Sequence, residues 1–117
     1  MPAPDAITVS QLIRLIGLPD APAILDVRTE EDFAADPRSL PGAVRRDWQT
    51  ASSWAAGYAG RPVVVVCHRG LKLSQGVAAW LRYAGARAES LEGGFEAWAA
   101  AGALLGLVVT TVPKVPI

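Results

Sequence analysis

The chain has 117 residues, the length of one domain, and its 11 Lys and Arg balance its 11 Asp and Glu. A formal net charge of zero gives no global electrostatic case for nucleic acid or an anionic membrane surface, so any charged site is local. With 51% hydrophobic and 19% charged residues the chain has the apolar surface for a core and lacks the profile of a disordered segment.

Residues 1–6 carry neither the basic nor the apolar region of a secretory signal, which makes a reducing, cytoplasmic compartment the expectation. Thr8 or Ser10 then caps a short helix in which Leu12, Ile13 and Ile16 recur at helical spacing, and Gly17 and Pro19 end it. Ala23-Ile24-Leu25-Asp26-Val27 reads as a strand, and Thr29, with Asp32 three residues on, opens a short acidic helix carrying Phe33. The run Ser39-Leu40-Pro41-Gly42-Ala43 is a turn ahead of a brief strand at Val44. Thr50-Ala51-Ser52-Ser53-Trp54 opens another helix that stops near Gly57. Pro62 leads into Val63-Val64-Val65-Val66, the strongest signal in the chain: four β-branched residues without polar alternation suit a central strand buried on both faces. After a polar loop, Leu73, Val77, Ala78, Trp80 and Leu81 supply the apolar face of a helix closed by Gly85. Ala88-Glu89-Ser90-Leu91 is a short strand, Gly93-Gly94 turns the chain, and residues 95–101 form a last helix with Trp98 facing inward.

Strands alternate with helices throughout, which predicts an α/β fold with a mostly parallel sheet and helices on both faces. One domain is expected over residues 5–102. Residues 103–117 follow as an apolar tail whose Leu104, Leu105, Leu107, Val108 and Val109 serve as an added strand, a packing arm or the contact of a homodimer. Its uncharged stretch is shorter than the ~20 residues a bilayer needs, so no membrane span is expected.

Cys67 and His68 are the only residues of their kinds, which excludes an internal disulfide and any multi-thiolate or bis-imidazole metal site; no metal or other cofactor is expected. Cys67 stands where a buried strand ends and a helix is about to begin, the edge at which ligands gather in open α/β sheets. The segment His68-Arg69-Gly70-Leu71-Lys72-Leu73 is short and contains a glycine, so its backbone can turn several N–H groups toward one anion beside the helix N-terminus. An ordinary thiol with a pKa of about 8.5 is only ~3% thiolate at pH 7, whereas one near 6.5 is roughly three-quarters thiolate. Arg69 and Lys72 bring positive charge to the same loop, and His68 is either a solvated side chain or a general base. On these residues alone Cys67 is open between a reactive thiolate and a small apolar residue closing a strand.

Four segments in register resemble a single-domain rhodanese: Ile24-Leu25-Asp26-Val27-Arg28, the turn Leu40-Pro41-Gly42-Ala43, Cys67 after its valine strand, and Leu91-Glu92-Gly93-Gly94-Phe95 with Trp98. The resemblance spans about residues 7–102 and implies the three-layer rhodanese-like fold. It also implies sulfurtransferase activity. Cys67 would accept a sulfane sulfur from thiosulfate or a persulfide, hold it as a persulfide, and pass it to cyanide or a thiol, with residues 68–73 cradling the small anionic donor.

Related cell-cycle phosphatases place an arginine six positions after the cysteine, where this chain has Leu73, which offers phosphate no fork of donors. Many rhodaneses have Arg then Ser at the fifth and sixth positions after the cysteine. Lys72 and Leu73 stand there instead, with Ser74 one place later, a change that favours a persulfide or polysulfide donor over thiosulfate. Ser39 replaces a frequent His. Asp26 and Arg28 follow an Asp-x-Arg pattern and read as an internal ion pair behind the site; an Arg28 exposed beside Glu30 and Glu31 would be worth at most about 1 kcal/mol. Trp54, Trp80 and Trp98 are expected in the core, and Trp48 is open between core and site. The alternatives are a rhodanese-like accessory module that binds a partner with Cys67 inert, and a thiol-dependent arsenate or other oxyanion reductase.

Overall fold

The computed structural model describes residues 5–105 and 110–111, from residue 103 on as backbone alone. The valine strand β5 (Pro62–Val66) lies at the centre of a five-stranded sheet. Its neighbours are β6 (Arg87–Leu91) and β2 (Ala23–Asp26), and β1 (Ala6–Ile7) and β4 (Val44–Arg45) form the two edges. Every pairing in this sheet is parallel. Strands one place apart in a parallel sheet need crossovers, and the crossovers supply the covering helices.

Both faces of β5 are buried, as an unbroken apolar strand requires. Val63 and Val65 join Leu25, Val27 and Cys67 in one core, closed by α3 (Ala51–Trp54), the tight turn at Ala55–Tyr58 and α4 (Lys72–Tyr83). Val64 and Val66 join Ile24, Leu91 and Phe95 in the other, closed by α1 (Val9–Leu15) and α5 (Gly94–Leu105), which brings in the buried Trp98. Each fully buried valine contributes on the order of 1.5–3 kcal/mol. Three layers result, and all strands of the main sheet deliver their carboxyl ends to one edge.

Local chemistry sets the helix starts. Thr8 Oγ1 accepts from Gln11 N at 3.1 Å while Gln11 Oε1 accepts from Thr8 N at 2.9 Å, so Thr8 and not Ser10 is the cap. Thr29 caps α2 (Glu30–Ala35) through Asp32 N, and three acidic residues in its first turn oppose the helix dipole.

The structure departs from the sequence reading at several places. β1 was not anticipated: two residues show no periodicity, and it exists because Ala6 and Ile7 pair with Ser90 and Leu91. β3 (Arg38–Ser39) pairs antiparallel with β7 (Thr110–Thr111), so part of the expected turn and part of the tail form a second small sheet. The last helix runs to Leu105 and not to Ala101. The side chains of Leu104 and Leu105, and all of Leu107, Val108 and Val109, lie outside the described residues. Trp80, expected in the core, is half exposed, because the buried face of α4 consists of Ser74, Val77, Ala78 and Leu81. Among the described residues no helix is long and apolar enough to cross a membrane.

Arg38 clasps Asp36 at 2.8 and 2.7 Å, and this hydrogen-bonded guanidinium holds the Asp36 carboxyl down from 3.8 to about 2. The pair's stabilisation is therefore fully present above about pH 4 and lost as pH falls through about 2. Asp36→Asn is expected to be slightly less stable than wild type at pH 7. The two should converge below pH 2 in urea titrations, the effect being small because the pair is solvent-screened.

Candidate active site

Cys67 follows β5 directly and is 4% exposed, with its side chain in the same core as Val63 and Val65. The chain then turns through residues 68–71 and enters α4 at Lys72. None of the backbone N–H groups from His68 to Ser74 has a hydrogen-bond acceptor among the described residues. The carbonyls of the same turn are engaged: Cys67 O accepts from Phe95 N at 2.8 Å, His68 O from Glu96 N at 3.0 Å and Leu71 O from Gln75 N at 3.1 Å. Satisfied acceptors and unsatisfied donors leave the loop with a net positive backbone field beside a helix N-terminus.

The loop keeps this form because two glycines let it touch the start of α5. Gly70, at φ +72°, lies against Leu91 O and the N–H groups of Gly93 and Gly94. Gly94, at φ +61°, lies against Cys67 O, Gly70 N and the His68 carbonyl carbon. A Cβ at either place would overlap backbone. Gly94→Ala is expected to lower the unfolding free energy by about 1–3 kcal/mol and to speed alkylation of Cys67 by iodoacetamide, measured by urea melts and by mass spectrometry.

Ser74 is the residue the sequence reading missed. Its Oγ lies 3.1 Å from Cys67 Sγ and is fully buried. As the third residue of α4 it points back over the first turn toward the strand end. Its position seven after the cysteine, on the buried stripe with Val77, Ala78 and Leu81, was the available signal. The thiol donates to this hydroxyl, and the hydroxyl donates in return once the sulfur is a thiolate.

The charged side chains of the loop divide. Arg69 is largely exposed and its Nε meets Glu96 Oε2 at 3.5 Å. His68 Nε2 meets the same oxygen at 3.5 Å, and its buried Nδ1 has no hydrogen-bond partner among the described residues. Glu96 thus holds both on the α5 side, a role the sequence did not reveal. Leu71 is exposed, Leu73 packs on the core around Cys67, and Lys72 begins α4 exposed. Lys72 has no carboxylate within ion-pair distance among the described residues.

Behind the loop, Asp26 and Arg28 form a fully buried pair at 2.8 Å. Asp26 also accepts from Ser39 Oγ at 3.1 Å, and Arg28 donates to Asp36 O and Arg38 O at 2.8 and 2.6 Å. The guanidinium stacks 4.0 Å from the Phe95 ring, whose N–H holds Cys67 O. Among the described residues no three His, Cys, Asp or Glu side chains converge as a metal site.

A model of the rhodanese-like domain matches residues 8–101. The chain belongs to that family. No curated protein matches it significantly. Among solved structures, this rhodanese-like domain is similar to a Staphylococcus aureus rhodanese-like domain protein, with 27% identity over 80% of this chain and 90% of the other and a TM-score of 0.69. It is also similar to the Pseudomonas aeruginosa thiosulfate sulfurtransferase, with 25% identity, 92% of this chain, 19% of that one and a TM-score of 0.70. The human single-domain sulfurtransferase shares the fold, at 19% identity over 84% of this chain and 97% of that one with a TM-score of 0.68.

Proposed function

We propose that this rhodanese-like domain is a sulfurtransferase that carries sulfane sulfur on Cys67. The observation that supports it best is a single buried thiol, hydrogen-bonded to Ser74 Oγ at 3.1 Å, in a loop whose N–H groups from His68 to Ser74 have no acceptor among the described residues. A thiolate and the persulfide that replaces it are both anions, and one set of donors serves both.

In the first step the Cys67 thiolate attacks the outer sulfur of thiosulfate. The S–S bond of the donor breaks, sulfite leaves with the electron pair, and Cys67 holds a persulfide. In the second step cyanide or a thiolate attacks the outer sulfur, the new S–S bond breaks, and Cys67 leaves as thiolate. A persulfide donor enters the same cycle with a thiolate as leaving group. Ser74 donates to Sγ whenever it bears charge, and the exposed Lys72 draws the anionic donor toward the N-terminus of α4. Thiol acceptors belong to a reducing, cytoplasmic compartment, where we place the reaction. Leu73 at the sixth position after the cysteine argues against phosphatase chemistry.

The test is intact-mass spectrometry before and after thiosulfate, with cyanide added last. A gain of one sulfur atom that cyanide removes is expected, and no gain with either thiosulfate or a persulfide donor would overturn the reading. Ser74→Ala is expected to lower kcat/KM about five- to tenfold, the loss of one hydrogen bond to a charged sulfur. Ser74→Thr should restore most of it in the same assay.

A further inference from the structure

The outward side of α4 lacks the composition of a helix face left in water. Lys72, Gln75, Gly76, Ala79, Trp80 and Tyr83 are all exposed and recur at spacings of three and one, so they form a single stripe facing away from the buried Ser74, Val77, Ala78 and Leu81. Solvent faces of surface helices are ordinarily rich in charge, yet Lys72 is the one charged residue of this stripe. Arg82 is drawn off it, toward Ala88 O at 3.1 Å and Asp5 Oδ2 at 3.7 Å. Trp80 and Tyr83 are 50% and 87% exposed, their rings edge to face at 6.1 Å. Trp48, 41% exposed, borders a groove of about 360 Å³ that it shares with Lys72, Leu73, Gly76 and Trp80.

Gly76 has no reason within the described fold. Glycine inside a helix lowers stability relative to alanine, and a Cβ added here would meet nothing within 4 Å. What the missing side chain provides is room for a second surface to come close. The same face carries both a projection and a recess: Tyr83 stands out at one end of α4, and the groove beside Trp48 lies at the other. About a two-fold axis between Val77 and Ala78, an antiparallel copy of α4 sets Ala79 against Gly76, Gln75 against Trp80, and Tyr83 against Lys72. Small residues meet at the centre, where the helices can approach. Each Tyr83 ring enters the groove of the other copy, and Lys72 there faces both the ring and the negative C-terminal end of the incoming helix. A face that complements itself in this way is the isologous surface of a closed dimer.

We infer that the outward stripe of α4 is an interaction surface for a second copy of this chain, which docks antiparallel across Gly76 and Ala79. The area supports it. Trp48, Trp80 and Tyr83 together expose on the order of 300–400 Å², close to half of the ~800 Å² that each partner contributes to a standard stable interface. Leu71, 59% exposed, extends the apolar patch at the start of α4, and Gln75 and Ala79 fill it between the rings. A stripe with one cation suits a copy of itself better than an acidic partner, which calls for a cluster of cations. A small molecule in the groove would leave Tyr83 in water. The inference is independent of sulfur transfer: it holds whether or not Cys67 carries sulfur.

Sedimentation velocity of the full chain over a concentration series tests this. Wild type is expected to pass from the 12.3 kDa monomer to a dimer with a Kd on the order of 10 μM. Ala79→Glu, which places a charge at the centre of the contact, should raise that Kd at least about tenfold. Tyr83→Ser should do the same, and because Tyr83 is 87% exposed this variant keeps the monomer's fold, checked by circular dichroism. Register is read by mild oxidation in a Cys67→Ser background: Ala79→Cys is expected to give a disulfide-linked dimer, and Ala100→Cys, exposed on α5, is not. A monomer at every concentration overturns the inference and leaves the stripe to a different protein. A dimer that Ala79→Glu and Tyr83→Ser leave at wild-type affinity, or one cross-linked equally well through either cysteine, also overturns it and moves the interface away from α4.

Discussion

Cys67→Ser should abolish sulfur uptake, with turnover falling by at least about a thousandfold and no sulfur adduct in the intact-mass spectrum. A serine oxygen cannot form the S–S bond that stores the sulfur, so no residue of the loop compensates. The variant is expected to fold. Its hydroxyl replaces a sulfur 3.1 Å from Ser74 Oγ, and that partner spares the new group the cost of unpaired burial, leaving a stability change of about 1 kcal/mol. Circular dichroism and a urea melt check the fold, and thiosulfate turnover in the presence of cyanide checks the chemistry. Retention of turnover above about a tenth of wild type would exclude Cys67 as the carrier.

Arg28→Met should be among the most destabilising single changes, at about 3–5 kcal/mol in urea unfolding. Arg28 is 2% exposed, and its guanidinium is held by the Asp26 carboxylate, Asp36 O, Arg38 O and the faces of Phe33 and Phe95. Its loss leaves Asp26 buried with, among the described residues, only the residue-28 N–H, Ser39 Oγ and a 3.5 Å approach from Arg45. Set against a total stability of roughly 5–15 kcal/mol, that is a large fraction. The same change should also lower sulfur transfer in the protein that remains folded, because Phe95 links the guanidinium to the carbonyl of Cys67. Arg28→Lys keeps the charge and forfeits the planar fork, so an intermediate loss is expected. A melt of Arg28→Met within about 1 kcal/mol of wild type would show the pair to be structurally idle.

Much of the fold was legible because its signals are local. Four successive valines have no polar position to turn to water, so β5 had to be central. Thr8 and Thr29 are side chains that cap, and each caps a helix. The Asp26–Arg28 pair was legible as a pattern, but its depth was not, since burial of Arg28 depends on Phe33, Phe95 and carbonyls of residues 36 and 38. Trp80 misled because an apolar residue at nearly the right helical angle looks buried until the neighbouring layer is known to stop short of it. Ser74 was passed over because a serine one place out of the usual position looks displaced; helical geometry is what returns it to the sulfur.

What the sequence by itself determined is the order of elements, the central strand, the cysteine at its carboxyl end and the family the chain belongs to. The first three follow from residue type and spacing along the chain, which short-range sterics and hydrophobic periodicity convert into structure, and the family from the resemblance of four segments in register. Tertiary structure alone decided the two-residue strands β1, β3 and β7, the contact of Gly94 with the cysteine loop, the tethering of His68 and Arg69 by Glu96, and the groove between Trp48 and the outer face of α4. Those features join residues far apart in the chain, and a pairing between distant segments leaves no periodic trace in either of them.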